Sequence, residues 1–496
     1  MNQNRTNTLL NKPYKSVYTP SLVTSESRGG GLGKIRKSCA KSTSENCKNS
    51  TINNDIAKRN QVFRLQKISA DTLRNTTFKK GKNAGVCFCC KHRNGTGHAI
   101  TVKYDLNKNK ASYTNLFRCN SVWLCPVCAR RVSEVRRDEL LTVSEKWQAG
   151  NYSQYASEYD KEINIDNPDF TKKNSIFLVT LTVRHKRSDS LNDVLNALKH
   201  GFHSLIRNTP GRKLLAKYGI AHHVRSLEVT YGNANGWHPH FHCLFYSFFT
   251  LTEEQLQAFR DELAALWQKQ FKKEWELFKP NLKNGVDVAD GSYANTYVTK
   301  FGEEIPCRRL GEKVDLEMTK AHMKKAKEID RFTPFEMLEH LEDSPYLIPR
   351  YIEYAKAFFG SKQLKYSQRL KPLMGLVELS DEEVLDELDA KEQEEQQEIL
   401  TVNKALFDIL YFNNLRGEFL AMIEMDIKKD GLESRFTNTN RFIKTAITQV
   451  FDHLDIALKK TDAKDLVRIQ KIQDRILSCT QILQSPLGAL QTGTLG

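Results

Sequence analysis

Between Leu227 and Phe245 the chain carries Glu228, His238, His240 and His242. His240 and His242 are two apart in a segment that reads as a strand. Both imidazoles therefore leave one face, while Phe241 points the other way, into the core. Glu228 lies on the preceding strand across a short turn, and antiparallel pairing would set its carboxylate beside the two rings. Two imidazoles and a carboxylate with open positions make a site for a catalytic divalent ion. His238 is placed differently. Pro239 is expected to interrupt strand pairing, which leaves His238 in the turn as a further candidate ligand of the same ion, a substrate contact or a support for the ligands.

A second group of residues suits nucleophilic chemistry. Tyr293 and Tyr297 are four apart, so on a helix they share a face, and Lys300 follows Tyr297 by three on that face. A phenol with an ordinary pKa near 10 is a poor nucleophile at neutral pH, but a nearby ammonium and a metal-polarised phosphate would both help it. Taken alone, two tyrosines at this spacing belong to a core. The metal motif beside them turns the reading toward catalysis.

Cysteines supply the third group. Six of the 11 fall between Cys87 and Cys128. Cys87 with Cys90 and Cys125 with Cys128 form two CxxC pairs that could hold a tetrahedral zinc. Cys119 competes for a place, and Cys89 stays open as another. His92 and His98 read as ordinary loop histidines. Neither CxxC sits in a thioredoxin-like βαβ pattern, which argues against a redox pair.

These groups need elements to position them. Ile176 to Val183 reads as a buried strand, and Val224 to Tyr231 and Phe241 to Phe245 as two more, joined by a Gly/Asn-rich turn. Leu191, Val194, Leu195, Leu198, Phe202 and Leu205 recur at helical spacing, as do Leu256, Phe259, Leu263, Leu266 and Phe271. Thr333, Pro334 and Glu336 mark a helix start. Five regions follow in order: a disordered basic arm over 1–65, a cysteine-rich zinc-binding module over 70–140, a domain of strands and helices over 170–375, an acidic linker over 380–400, and a helical C-terminal domain over 400–490.

The order of these motifs resembles that of rolling-circle replication initiators, the plasmid Rep and phage gene A-like members of the HUH endonucleases. Thr180-Leu181-Thr182 is similar to their first motif, the segment Trp237 to His242 to their metal motif, and Tyr297 with Lys300 to their nucleophile motif. Cys119, Cys125, Pro126, Val127, Cys128, Arg130 and Arg131 resemble the cysteine-rich region that precedes the nuclease in one large Rep group. Tyr354 to Ala357 with Lys362 to Leu370 resemble the segment that closes it. The resemblance covers about 85–375. One-tyrosine plasmid initiators often carry a carboxylate where this chain has Tyr293, and the pair is closer to the two-tyrosine phage arrangement.

The resemblance implies an α/β (α+β) fold with a central antiparallel sheet and flanking helices. It implies Mg²⁺ or Mn²⁺ at Glu228, His240 and His242, a 5′-phosphotyrosine link at Tyr297, and a 3′-OH left as primer for a host polymerase. Its partners would be origin DNA, single-stranded or in a stem-loop, and a host helicase, with oligomers allowed. A relaxase or transposase would share the chemistry. A zinc-dependent DNA-binding regulator with structural histidines is the reading from another class. No Walker A sequence supports an intrinsic motor.

Composition agrees with a nucleic-acid partner. The 496 residues carry 75 Lys+Arg against 59 Asp+Glu, a formal charge of +16, which favours a polyanion. The length suits two or three domains. No apolar run approaches the roughly 20 residues of a membrane span, and the polar N-terminus is unlike a signal peptide. A cytoplasmic protein with reduced or metal-bound cysteines is the expectation.

Overall fold

The computed structural model describes residues 44–78, 81, 84–95, 99–151, 168–290, 331–432 and 436–458. The strands among them are β1 (Ile100–Asp105), β2 (Lys110–Thr114), β3 (Thr171–Thr182), β4 (Ile220–Gly232), β5 (Gly236–Thr250), β6 (Val286–Asp290), β7 (Arg331–Phe332), β8 (Leu364–Tyr366) and β9 (Gln396–Val402). The protein is mixed α and β, and each strand pair is antiparallel. It divides into two compact units. One comprises residues 65–88 and 118–390, the other 1–64, 89–117 and 391–496. This division cuts across the sequential order of regions read from the sequence.

The larger unit is built on a sheet of order β6-β3-β5-β4-β7, with β8 also paired to β4. Strand alternation sorts its side chains. Ile176, Val224, Leu244 and Tyr246 share a core with Leu140, Val143 and Trp147 of the helix Pro126–Ala149. The alternate residues face two other helices: Phe241 packs edge-on to Phe202 of Leu191–Arg207, and Phe177 lies 6.0 Å from Phe259 of Glu253–Gln268. Both helices start where their caps require. Ser190 accepts from the Asp193 amide, and Thr252 with Gln255 closes a capping box. The expected box of Thr333 and Glu336 opens the short helix Pro334–Glu339.

The smaller unit has a sheet of order β2-β1-β9 and the helices Lys404–Phe412, Arg416–Asp430 and Thr437–Leu458. Arg416 is fully buried there. Its guanidinium donates to the Cys90 and Phe63 carbonyls at 3.1 and 2.8 Å and lies over the Phe63 and Tyr411 rings. These hydrogen bonds and aromatic contacts offset part of the cost of burying the charge. The acidic stretch from Asp381, for which a solvated helix or a linker is the expectation, is a helix to Glu395 and then becomes β9, which pairs with β1. The N-terminal arm is helical from Ser44, within a helix ending at Leu73.

Among the described residues no helix is long and apolar enough to cross a membrane. Burial does have a pH consequence in the sheet. His222 on β4 is 2% exposed, beside Trp147, and burial pushes its pKa down to about 4. The unfolded chain takes up this proton near pH 6.5, the folded one only near 4. Between those values the unfolded state binds more protons, so stability falls as pH falls, by about 2 kcal/mol at pH 5 from this residue. In urea unfolding at pH 7 and pH 5, His222→Phe should lose less of its midpoint on acidification than wild type. An equal loss in both would remove His222 as the cause.

Candidate metal centre

The β4–β5 hairpin sets the register of the candidate ligands. Its turn closes on Gly232 and Gly236, which places Glu228 opposite His240. On the other side of β5, Thr180 stands opposite His242 and Thr182 opposite His240. Gly236 has φ +76, and a Cβ there would come within 2.8 Å of the Arg187 backbone, so glycine is needed on both counts.

Three donor atoms converge. The Glu228 carboxylate lies 3.1 Å from His242 Nε2 and 3.5 Å from His240 Nε2, and the two ring nitrogens are 3.2 Å apart. Their side chains are 10 to 12% exposed. Octahedral Mg²⁺ with bonds of 2.0–2.1 Å needs neighbouring ligands about 3 Å apart, so the spacing fits three adjacent corners and leaves the others to water or phosphate oxygens. The far ring nitrogens are held as metal-binding histidines require. His242 Nδ1 is 3.1 Å from the Thr180 hydroxyl, and His240 Nδ1 is 3.4 Å from the His238 carbonyl. Burial alone would raise the Glu228 carboxyl. Hydrogen bonds from His240 and His242 and their charge outweigh it and hold the group well below the usual carboxylate range.

His238 is outside this trio and on the strand, not in the turn. β5 runs straight through Pro239, which pairs with Val229, while Thr230 pairs with His238. The pairing of β5 with β3 ends at His240. At Pro239 that edge is already open, so a missing N–H costs no ladder bond. His238 Nδ1 sits 2.8 Å from His185 Nε2, whose other nitrogen is 3.1 Å from the Asn235 carbonyl. Burial, then the neighbouring His240, His185 and Arg331, push the His238 pKa down to about 3. His185 escaped the sequence reading because it lies 53 residues from His238 and belongs to no motif.

A cleft of about 1070 Å³ opens beside the trio, with Thr182 opposite His240 and the pair Thr230 and His238, two positions further along, in its wall. Arg184, His185, Lys279 and Arg331 also line it, against one carboxylate, Glu276, which pairs with Lys279 at 3.0 Å. The chain leaves the described residues after Asp290 of β6 and returns at Arg331 in this wall. Tyr293, Tyr297 and Lys300 fall between, outside the described residues.

The cysteines form a second group. Cys89, Cys119, Cys125 and Cys128 bring their sulfurs within 4.8 Å of one another. None is in a disulfide. The Cys119 and Cys128 sulfurs are 3.8 Å apart, and a tetrahedron with Zn–S bonds of about 2.3 Å has edges of about 3.8 Å. The second CxxC serves as expected, at the start of the helix Pro126–Ala149, which Cys125 caps. From the first CxxC neither member joins the four. Cys87 sits in a short 3-10 turn with its thiol 3.5 Å from the Ala70 carbonyl, and Cys90 takes a positive φ of 51 next to Cys89.

Comparison with known proteins gives two relatives. A protein named "Protein rep" from Streptomyces lividans is 23% identical over 323 residues, covering 53% of this chain and 64% of the relative. A "Neomycin resistance protein" from Streptomyces cyanogenus is 25% identical over 187 residues, covering 33% of this chain and 34% of the relative. The chain thus spans less than two thirds of the length of either. No family model and no solved structure matches.

Proposed function

We propose that the protein initiates rolling-circle DNA replication as an HUH-type endonuclease and strand transferase, nicking one strand at an origin and later rejoining it. The observation that carries this reading is the Glu228, His240 and His242 trio on adjacent strands, opening beside a basic cleft. Similarity to a protein named "Protein rep" supports it. The residues fit Mg²⁺ or Mn²⁺, which would stabilise charge on the phosphoryl oxygens and the leaving oxygen.

Around that ion the chain's own residues do the rest. Thr180 and the His238 carbonyl fix the two rings. Arg184, Lys279 and Arg331 supply salt-dependent contacts to the DNA backbone. The Tyr297 oxygen attacks the scissile phosphorus in line and loses its proton, helped by Lys300. The P–O3′ bond breaks, and the 3′ oxygen leaves with a proton as the primer hydroxyl. The phosphodiester energy is kept in the 5′-phosphotyrosine bond, so the reverse step closes a circle without an added energy source. A host helicase and polymerase complete the cycle in the cytoplasm. The test is a denaturing gel for a covalent adduct between the protein and single-stranded DNA from its own replicon. The adduct should require Mg²⁺ or Mn²⁺, and its absence with either ion would overturn the reading.

The cysteine quartet is proposed to hold structural Zn²⁺. Elemental analysis should find about one zinc per chain, and Cys128→Ser should lose most of it together with thermal stability. Folded, active protein without zinc would refute this.

A further inference from the structure

We infer that Trp275, stacked on His200 among three lysines, is a platform on which a base of the single-stranded DNA stacks after the strand leaves the nicking cleft. The inference rests on the DNA-nicking reading and adds a second contact for the same strand.

The chain has five tryptophans. Trp123, Trp147, Trp237 and Trp267 are each 2% exposed or less. Trp275 is only half-buried, and its ring lies nearly parallel to that of the exposed His200, 5.0 Å away at 18°. The ring pair borders a cleft of about 480 Å³ that also contains Lys269, Lys272 and Lys273, all exposed, against one acid, Glu274. An aromatic face next to ammonium groups is the composition that binds single strands without reading their sequence, with bases on the rings and phosphates on the cations.

The location connects this platform to the candidate metal centre. Trp275 belongs to the short helix Lys273–Phe278. The next residues, Glu276 and Leu277, already line the nicking cleft, where Leu277 is 74% exposed. One turn of chain therefore separates the two clefts, and a strand lying across it touches both. Lys273, the first residue of this short helix, has φ +52 without being glycine or asparagine. Such a conformation costs on the order of 1 kcal/mol and persists where the surroundings impose it.

The experiment uses the full chain without divalent metal, so that binding is read apart from cleavage. A single-stranded oligothymidylate should quench the intrinsic fluorescence of wild type, and Trp275→Phe should abolish that quenching, because the other four indoles are buried. Trp275→Ala should weaken single-strand binding roughly tenfold, while Trp275→Phe, which keeps a ring, should stay within about threefold of wild type. Quenching that persists in Trp275→Phe, or unchanged affinity in Trp275→Ala, would overturn the platform. Equal quenching by a blunt duplex would overturn its assignment to single strands. If Trp275→Ala fails to fold, the fluorescence of Trp275→Phe alone decides. A wild-type protein that shows this quenching but forms no covalent adduct with Mg²⁺ or Mn²⁺ would leave the platform standing and remove the nicking reading instead.

Discussion

His240→Ala and His242→Ala should each lower metal-dependent strand cleavage by on the order of 10³-fold while leaving DNA binding within a few-fold of wild type. The magnitude follows from removing one of three protein ligands of an ion that contributes several kcal/mol of transition-state charge stabilisation. Binding should survive, because in the proposed complex the cations lining the cleft, rather than the two imidazoles, would meet the backbone. Each variant keeps a partial cluster. Without His240, His242 still lies 3.1 Å from Glu228, and without His242, His240 remains 3.5 Å from it. The loss should therefore be one of chemistry rather than of folding, and the unfolding midpoint checks this directly. Glu228→Ala should behave alike, since its carboxylate is the third donor. Thr180→Val gives a graded contrast. It removes the hydroxyl that holds His242 Nδ1 and leaves all three ligands, so a loss of about 10–100-fold is expected. Cleavage near the wild-type rate by His240→Ala or His242→Ala in Mg²⁺ or Mn²⁺ would end the metal role proposed for the pair.

Much of this arrangement is local and therefore legible in the sequence. Strand alternation alone puts His240 and His242 on one face and Phe241 on the other. A turn that closes on Gly232 and Gly236 fixes the partner of every residue below it, so the approach of Glu228 to His240 follows from chain length. What could not be read depends on residues far away. Pro239 looks like a strand breaker until β3 is seen to stop opposite His240. Cys89, and neither Cys87 nor Cys90, joins Cys119, Cys125 and Cys128, and the spacing of the cysteines does not encode that choice. β9 forms from the end of an acidic stretch because β1, some 300 residues earlier, offers an edge. The His185–His238 contact joins two loop and strand ends that no periodicity relates.

Tyr297→Phe should abolish the covalent protein–DNA adduct outright, because phenylalanine keeps the ring and removes the attacking oxygen. Tyr293→Phe should permit the first cleavage and impair the later transfer that releases a closed single-stranded circle. The argument is one of spacing. Two phenols four residues apart on a helix lie on one face, and each can be presented in turn to a phosphate held at the Glu228, His240 and His242 trio. One tyrosine would carry the parental 5′ end while the other cleaves the regenerated origin. On such a helix Lys300 would share that face and favour the phenolate in both steps, so Lys300→Met should slow adduct formation while leaving the adduct on Tyr297. The measurement is peptide mapping of the phosphotyrosine in wild type and in each variant, together with an assay of circle release. An adduct found only on Tyr293 would reverse the two roles. Normal circle release by Tyr293→Phe would establish a mechanism with one tyrosine, in which Tyr297 acts alone and termination draws on a different nucleophile, such as a second copy of the protein or water.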